Sequence, residues 1–109
     1  MPSNNQKLSA RCPVRTTLEL VGGKWKLLII QQLGNESFRL SEIRKSIPDI
    51  SEKMLIQELK YLLQNHMVER INFGEVPPRV NYRLTEKGKL AFPLIQAIQQ
   101  FGLAYHDAM

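Results

Sequence analysis

One short break between two apolar-periodic segments constrains this chain more than any other feature. Leu40, Ile43 and Ile47 recur at i, i+3, i+7, the spacing of an amphipathic helix of about two turns. Ser41 or a neighbour is placed to cap it. Pro48-Asp49-Ile50 then cannot continue that helix. The proline lacks a backbone donor, and it pushes the residue before it out of the α region. Ser51 follows as an N-cap for a second helix, predicted over Ser51 to Gln64. Two short helices joined by a three-residue turn have the size of a helix-turn-helix. Such a pair needs flanking elements to bury its apolar sides.

Those elements are legible on both sides. Pro13 suits a first helical turn, and Gly22-Gly23 ends that helix after Val21. Lys24 is expected to open the next helix, with Trp25, Leu28, Ile29 and Gln32-Leu33 on its inner face and Gly34-Asn35 as its stop. Phe38 reads as a short extended piece. After Asn65-His66, Val68 to Phe73 and Val80 to Leu84 alternate as two strands. Gly74 and Pro77-Pro78 make their connection longer than a tight hairpin. Thr85 caps a final helix that Pro93 kinks or restarts. Leu90, Leu94, Ile98, Phe101 and Tyr105 repeat along one face of that helix. That face is longer than one small domain needs, and it reads as a dimer interface. The order is a mainly α fold with a small antiparallel β-hairpin, the winged helix-turn-helix plan. Residues 1–11 are expected as a flexible basic arm and 12–109 as a single DNA-binding and dimerisation domain.

The second helix of the pair carries the functional signal. At 100° per residue, Leu55, Leu59, Leu62 and Leu63 form one stripe. Opposite it lie Lys53, Gln57, Lys60 and Gln64, with Met54 and Tyr61 at the margin and no acidic residue in the central row. Glu52 and Glu58 fall at the flanks of the apolar stripe. Glutamine pairs with adenine and lysine reaches guanine acceptors, while a capping serine and helix N–H groups hold phosphate. Lys53 and Gln57 are therefore assigned to bases, Ser51 and Lys60 to the DNA backbone, and Tyr61 to either. Arg79, beside Pro77-Pro78, is expected at the wing tip, in a minor groove or on phosphate.

Charge agrees with a polyanion partner. The formal net charge is +5 over 109 residues. Lys7, Arg11, Arg15, Lys24 and Lys26 stand against only Glu19 in residues 1–26, and Arg70, Arg79 and Arg83 surround the wing. These two groups matter if the fold brings them to one face. A winged scaffold used for protein interaction is the alternative class; the non-acidic outer row and basic wing argue against it.

The quoted residues also carry a resemblance. Cys12-Pro13, Gly22-Gly23-Lys24-Trp25, Phe38 with Leu40 to Ile43, Ile47-Pro48, Ile50-Ser51, Leu55, Leu59, Val68 and Arg70, Pro77-Pro78, Tyr82-Arg83-Leu84-Thr85 and Gly88 resemble HxlR-type winged helix-turn-helix regulators. The resemblance covers about residues 10–105. It implies a transcriptional regulator that dimerises through its N-terminal and C-terminal helices on an approximately palindromic operator. It also implies that in some relatives the cysteine matching Cys12 senses oxidants or electrophiles. In the same pattern a glycine usually stands where this chain has His66, a site that often needs a left-handed backbone.

Cys12 keeps two readings: a redox-responsive thiol between Arg11 and Arg15, or a small apolar residue at a subunit contact. As the only cysteine it excludes an intramolecular disulfide. His66 and His106 are single and far apart, so neither a metal site nor a cofactor is expected. No nucleophile–base pair or phosphate-binding glycine loop points to an enzyme. The polar start and the lack of a long apolar run set the expected location in the cytoplasm.

Overall fold

Pro13 and the glycine pair fix the first helix in the computed structural model, which describes residues 12–108. The basic arm expected over residues 1–11, with Lys7 and Arg11, lies outside the described residues. Helix α1 spans Pro13–Val21. Gly22 closes it, donating its N–H to the Leu18 carbonyl at 2.8 Å. A Cβ on Gly22 would meet that same oxygen at 2.3 Å. Gly23 then takes φ 92°, where glycine has no steric penalty.

Helix α2 spans Lys26–Leu33, two residues later than expected, with Trp25 at its N-cap. The turn at Gly23 consumes Lys24 and Trp25 before the helix can start. Trp25 packs half-buried on the core as the sequence suggests. Ile29, Ile30 and Leu33 are the buried face, and Leu28, expected inside, is exposed. Four consecutive apolar residues, Leu27 to Ile30, leave the inner face of this helix ambiguous in sequence.

Helix α3 spans Leu40–Ser46. Its cap is Arg39 rather than Ser41, and the Arg39 N–H donates to the Glu42 carboxylate at 2.8 Å. An acidic third residue satisfies an orphan donor there as well as a serine cap would. Helix α4 spans Glu52–Gln64 and presents Leu55, Leu59 and Leu62 inward. Ile29, Ile30, Leu33, Ile43, Leu55, Leu59 and Leu62 are fully buried. These seven side chains bind α2, α3 and α4 into one core. His66, after α4, has φ 60°, the left-handed backbone expected there.

Strands β1 (Val68–Asn72) and β2 (Val80–Leu84) pair antiparallel, from Val68 opposite Leu84 to Asn72 opposite Val80. Phe38 joins their outer edge: its N–H reaches the Tyr82 carbonyl at 3.0 Å, and the Tyr82 N–H reaches back at 2.8 Å. The extended piece expected at Phe38 is thus a bridge to the hairpin.

Thr85 caps α5 (Glu86–Lys89), its hydroxyl accepting the Gly88 N–H at 3.0 Å. Gly88 is required by a close approach, since a Cβ would sit 2.1 Å from the Met67 carbonyl oxygen. Pro93 restarts rather than kinks the last helix. Helix α6 spans Phe92–Ala108 after a break at Leu90-Ala91. Among the described residues, no helix is long and apolar enough to cross a membrane.

Candidate nucleic-acid interface

The turn between α3 and α4 is closed by two backbone bonds. Ile47 donates to Arg44 at 3.2 Å and Ile50 to Ile47 at 3.1 Å. Ile47 and Ile50 are buried and Pro48 and Asp49 exposed, so the turn is pinned from inside. Ser51 accepts the Met54 N–H at 3.1 Å. Its O–H stays available as a donor at the helix start.

Because the leucines of α4 face inward, Lys53, Gln57, Lys60 and Gln64 are all exposed on the opposite side. The sequence expected that row, and the structure brings its members together along one helix. Ile56 is exposed beside them at 49%. It was missed as a candidate because a single outward apolar residue carries no pattern. An aliphatic side chain on such a surface suits a thymine methyl.

Two margin residues need correction. Met54 packs half-buried against the core. Tyr61 turns toward α1, donating its hydroxyl to the Glu19 carbonyl at 2.6 Å. Lys26 Nζ lies 4.6 Å from the Tyr61 ring centroid and 2.7 Å from Glu58 Oε1. Tyr61 is therefore held between α1 and α2 and does not join the outward row. The acidic residues of α4 are likewise paired: Glu58 with Lys26, and Glu52 with Arg44 at 3.6 Å.

A second cationic group was not anticipated. Arg39, Arg44 and Lys45 line a groove between α3, the start of α4 and Val80 of β2, with Ser41, Pro48 and Glu52. Arg44-Lys45 directly before the proline turn was the signal available in sequence. The first helix of such a pair ordinarily crosses the DNA backbone; Arg44 and Lys45 lie on that helix here and Arg39 is its N-cap. The basic groups counted in sequence contribute less. Lys26 is bound to Glu58, Arg83 lies 2.5 Å from Glu69, and Lys24 lies over the Trp25 ring.

The loop between the strands is built on Phe73 and Arg79. Phe73 donates its N–H to the Arg79 carbonyl at 3.1 Å, and the Arg79 guanidinium lies 4.8 Å from the Phe73 ring centroid. Arg79 thus stands at the base of the loop, not at its tip. Val76, at 97% exposure, is farther along the loop. The Asn72 side chain accepts the Gly74 N–H at 2.9 Å and steadies the turn.

Away from this face, α1 and α6 display apolar side chains outward. Val14, Leu18, Ile98, Phe101, Leu103 and Tyr105 are all exposed, as is Leu90 at the end of α5. Cys12 is a free, exposed thiol at the N-cap of α1, and its carbonyl accepts the Thr16 N–H at 3.0 Å. Among the described residues, no three His, Cys, Asp or Glu side chains come together as metal ligands.

A helix pair with an open cationic and amide outer row, followed by a hairpin wing, defines a DNA-binding transcriptional regulator of the winged helix-turn-helix class. The sequence profile of the HxlR-like helix-turn-helix family matches residues 20–109, and the chain belongs to that family. It is 40% identical over 94 residues to an HTH-type transcriptional regulator of Methanothermobacter thermautotrophicus, covering 86% of this chain and 72% of that one. Among solved structures it is similar to a MarR-family regulator from Porphyromonas gingivalis W83. The TM-score there is 0.81 at 44% identity, over 87% of this chain and 93% of that one. The reduced form of the transcriptional regulator YodB from B. subtilis aligns with TM-score 0.74 at 42% identity, over 83% and 89% of the two chains. The reduced form of the redox regulator HypR aligns with TM-score 0.83 at 33% identity, over 89% and 96%. The family and these relatives are regulators, not enzymes.

Proposed function

We propose that this regulator recognises an approximately palindromic operator as a homodimer in the cytoplasm. The observation that carries the reading is the exposed row Lys53, Gln57, Lys60 and Gln64, set opposite buried leucines on α4. Lys53 and Gln57 read base edges, and Ile56 packs on a thymine methyl. Ser51 and Lys60 hold the DNA backbone beside the groove cations Arg39, Arg44 and Lys45. Arg79 contacts phosphate or the minor groove from the base of the wing. The outward apolar side chains of α1 and α6 favour self-association, because such a surface is costly to leave wet. Two recognition helices related by a two-fold axis then enter major grooves about 34 Å apart.

Selection of bound sites from a genomic fragment pool tests this. Paired, inverted half-sites are expected, and Lys53→Ala or Gln57→Ala relaxes base preference within each. No enrichment of any sequence, together with no retardation of random DNA at low salt, identifies a protein-interaction module instead.

A second reading concerns control. Cys12 is exposed at the start of α1, and structures similar to this one include regulators captured in oxidised, reduced and diamide-treated forms. On this reading an oxidant changes DNA affinity through Cys12. Cys12→Ser then retains DNA binding and loses the response; a retained response refutes it.

A further inference from the structure

We infer that Tyr61 is a positioning residue that locks α1 to the recognition helix and thereby sets the spacing between half-sites. The inference rests on the homodimer reading above. Helix α1 is joined to α2 through Gly22-Gly23, and Gly23 occupies the left-handed region. A glycine pair at a helix junction leaves the preceding helix free to pivot. Val21 is the one buried side chain of α1, with Leu20 half-buried against the core beside it, so core packing holds the C-terminal turn of the helix.

The restraint comes from α4. The Tyr61 hydroxyl donates to the Glu19 carbonyl at 2.6 Å, across 42 residues of sequence. The ring is fixed in turn by Lys26, whose ammonium lies 4.6 Å from its centroid and 2.7 Å from Glu58 Oε1. Lys26 and Glu58 are each only 16% exposed. One half-buried residue of the recognition helix therefore holds α1 near its C-terminal end. The other side of α1 carries exposed Val14 and Leu18, part of the surface assigned to the partner subunit. The Tyr61 hydroxyl thus makes a direct hydrogen bond from the groove-reading helix to α1, added to the core packing of Leu20 and Val21. Loosening it leaves each half-site reader intact while letting two readers sit at more than one separation.

The test is a parallel selection of wild type and Tyr61→Phe against a pool of random-sequence duplexes. Both proteins are expected to enrich the same half-site sequence. Wild type enriches one separation, and Tyr61→Phe spreads over neighbouring separations. An identical distribution of separations in both proteins overturns the inference, and so does an altered half-site sequence, which makes Tyr61 a base reader. Absence of paired half-sites in wild type refutes the dimer reading itself, and the inference falls with it. Hydrogen exchange supplies the second measurement. In Tyr61→Phe, amides in the second half of α1 exchange about fivefold faster, the factor of one net hydrogen bond, with α4 unchanged. Unchanged α1 exchange in a folded variant overturns the lock.

Discussion

Within α4 the same helix serves two masters, and single residues separate them. Leu59 is buried between the helices and Lys60 beside it is exposed. Leu59→Ala is expected to cost about 2–5 kcal/mol, from lost transfer energy and the cavity left behind. Chemical denaturation followed by circular dichroism measures it, with DNA contacts untouched in the protein that remains folded. Lys60→Ala should leave stability within about 0.5 kcal/mol and weaken DNA binding instead. It should also lower the slope of log affinity against log salt by about one. A titration series at several salt concentrations reads that slope. The outward row was legible from sequence because 100° spacing sorts leucines from lysines without knowledge of the fold. Tyr61 was not legible. Its wheel position lies at the margin, and its partner Glu19 is 42 residues away, beyond anything a local pattern reports. Arg39, Arg44 and Lys45 were visible as charges, but only the approach of Val80 of β2 reveals the groove they share.

At the level of elements, caps and breakers were read well and junctions less well. Ser51, Thr85 and Pro48 act locally, so their roles follow from residue type, whereas the left-handed backbone at His66 was implied by the family resemblance. Ser51→Ala removes the acceptor of the Met54 N–H and should cost about 1 kcal/mol. Thermal unfolding should show a lower midpoint with the same cooperativity. The start of α2 depended on how a turn uses up residues, which composition does not reveal, and at Pro93 the sequence left a kink and a restart both open. The wing was legible as an element, while the position of Arg79 at its base follows from the register that pairs Asn72 with Val80 and from the Phe73 N–H to Arg79 carbonyl bond. Phe73→Ala should release the arginine and weaken binding uniformly across DNA sequences. A loss confined to particular bases would instead make Phe73 a reader of sequence.

For the molecule as a whole, the unpartnered apolar surface is the feature that most demands a second subunit. Phe101 and Tyr105 stack with ring centroids 6.3 Å apart on the exposed side of α6, and Leu18 of α1 is exposed as well. Phe101→Glu is expected to shift sedimentation from dimer to monomer with helical content retained. Affinity for a paired site should fall far more than affinity for one half-site. Retained dimer sedimentation would place the subunit contact elsewhere.

The bridge from Phe38 to Tyr82 has a consequence for how such regulators diversify. The hairpin is stitched to the chain just ahead of α3, so its strands form a fixed mount, while residues 74–78 hang beyond the Phe73–Arg79 bond. Lengthening, shortening or recharging that fingertip changes how far it feels along the duplex, and the helices never register the edit. New targets can accordingly be explored at the loop without the scaffold being rebuilt.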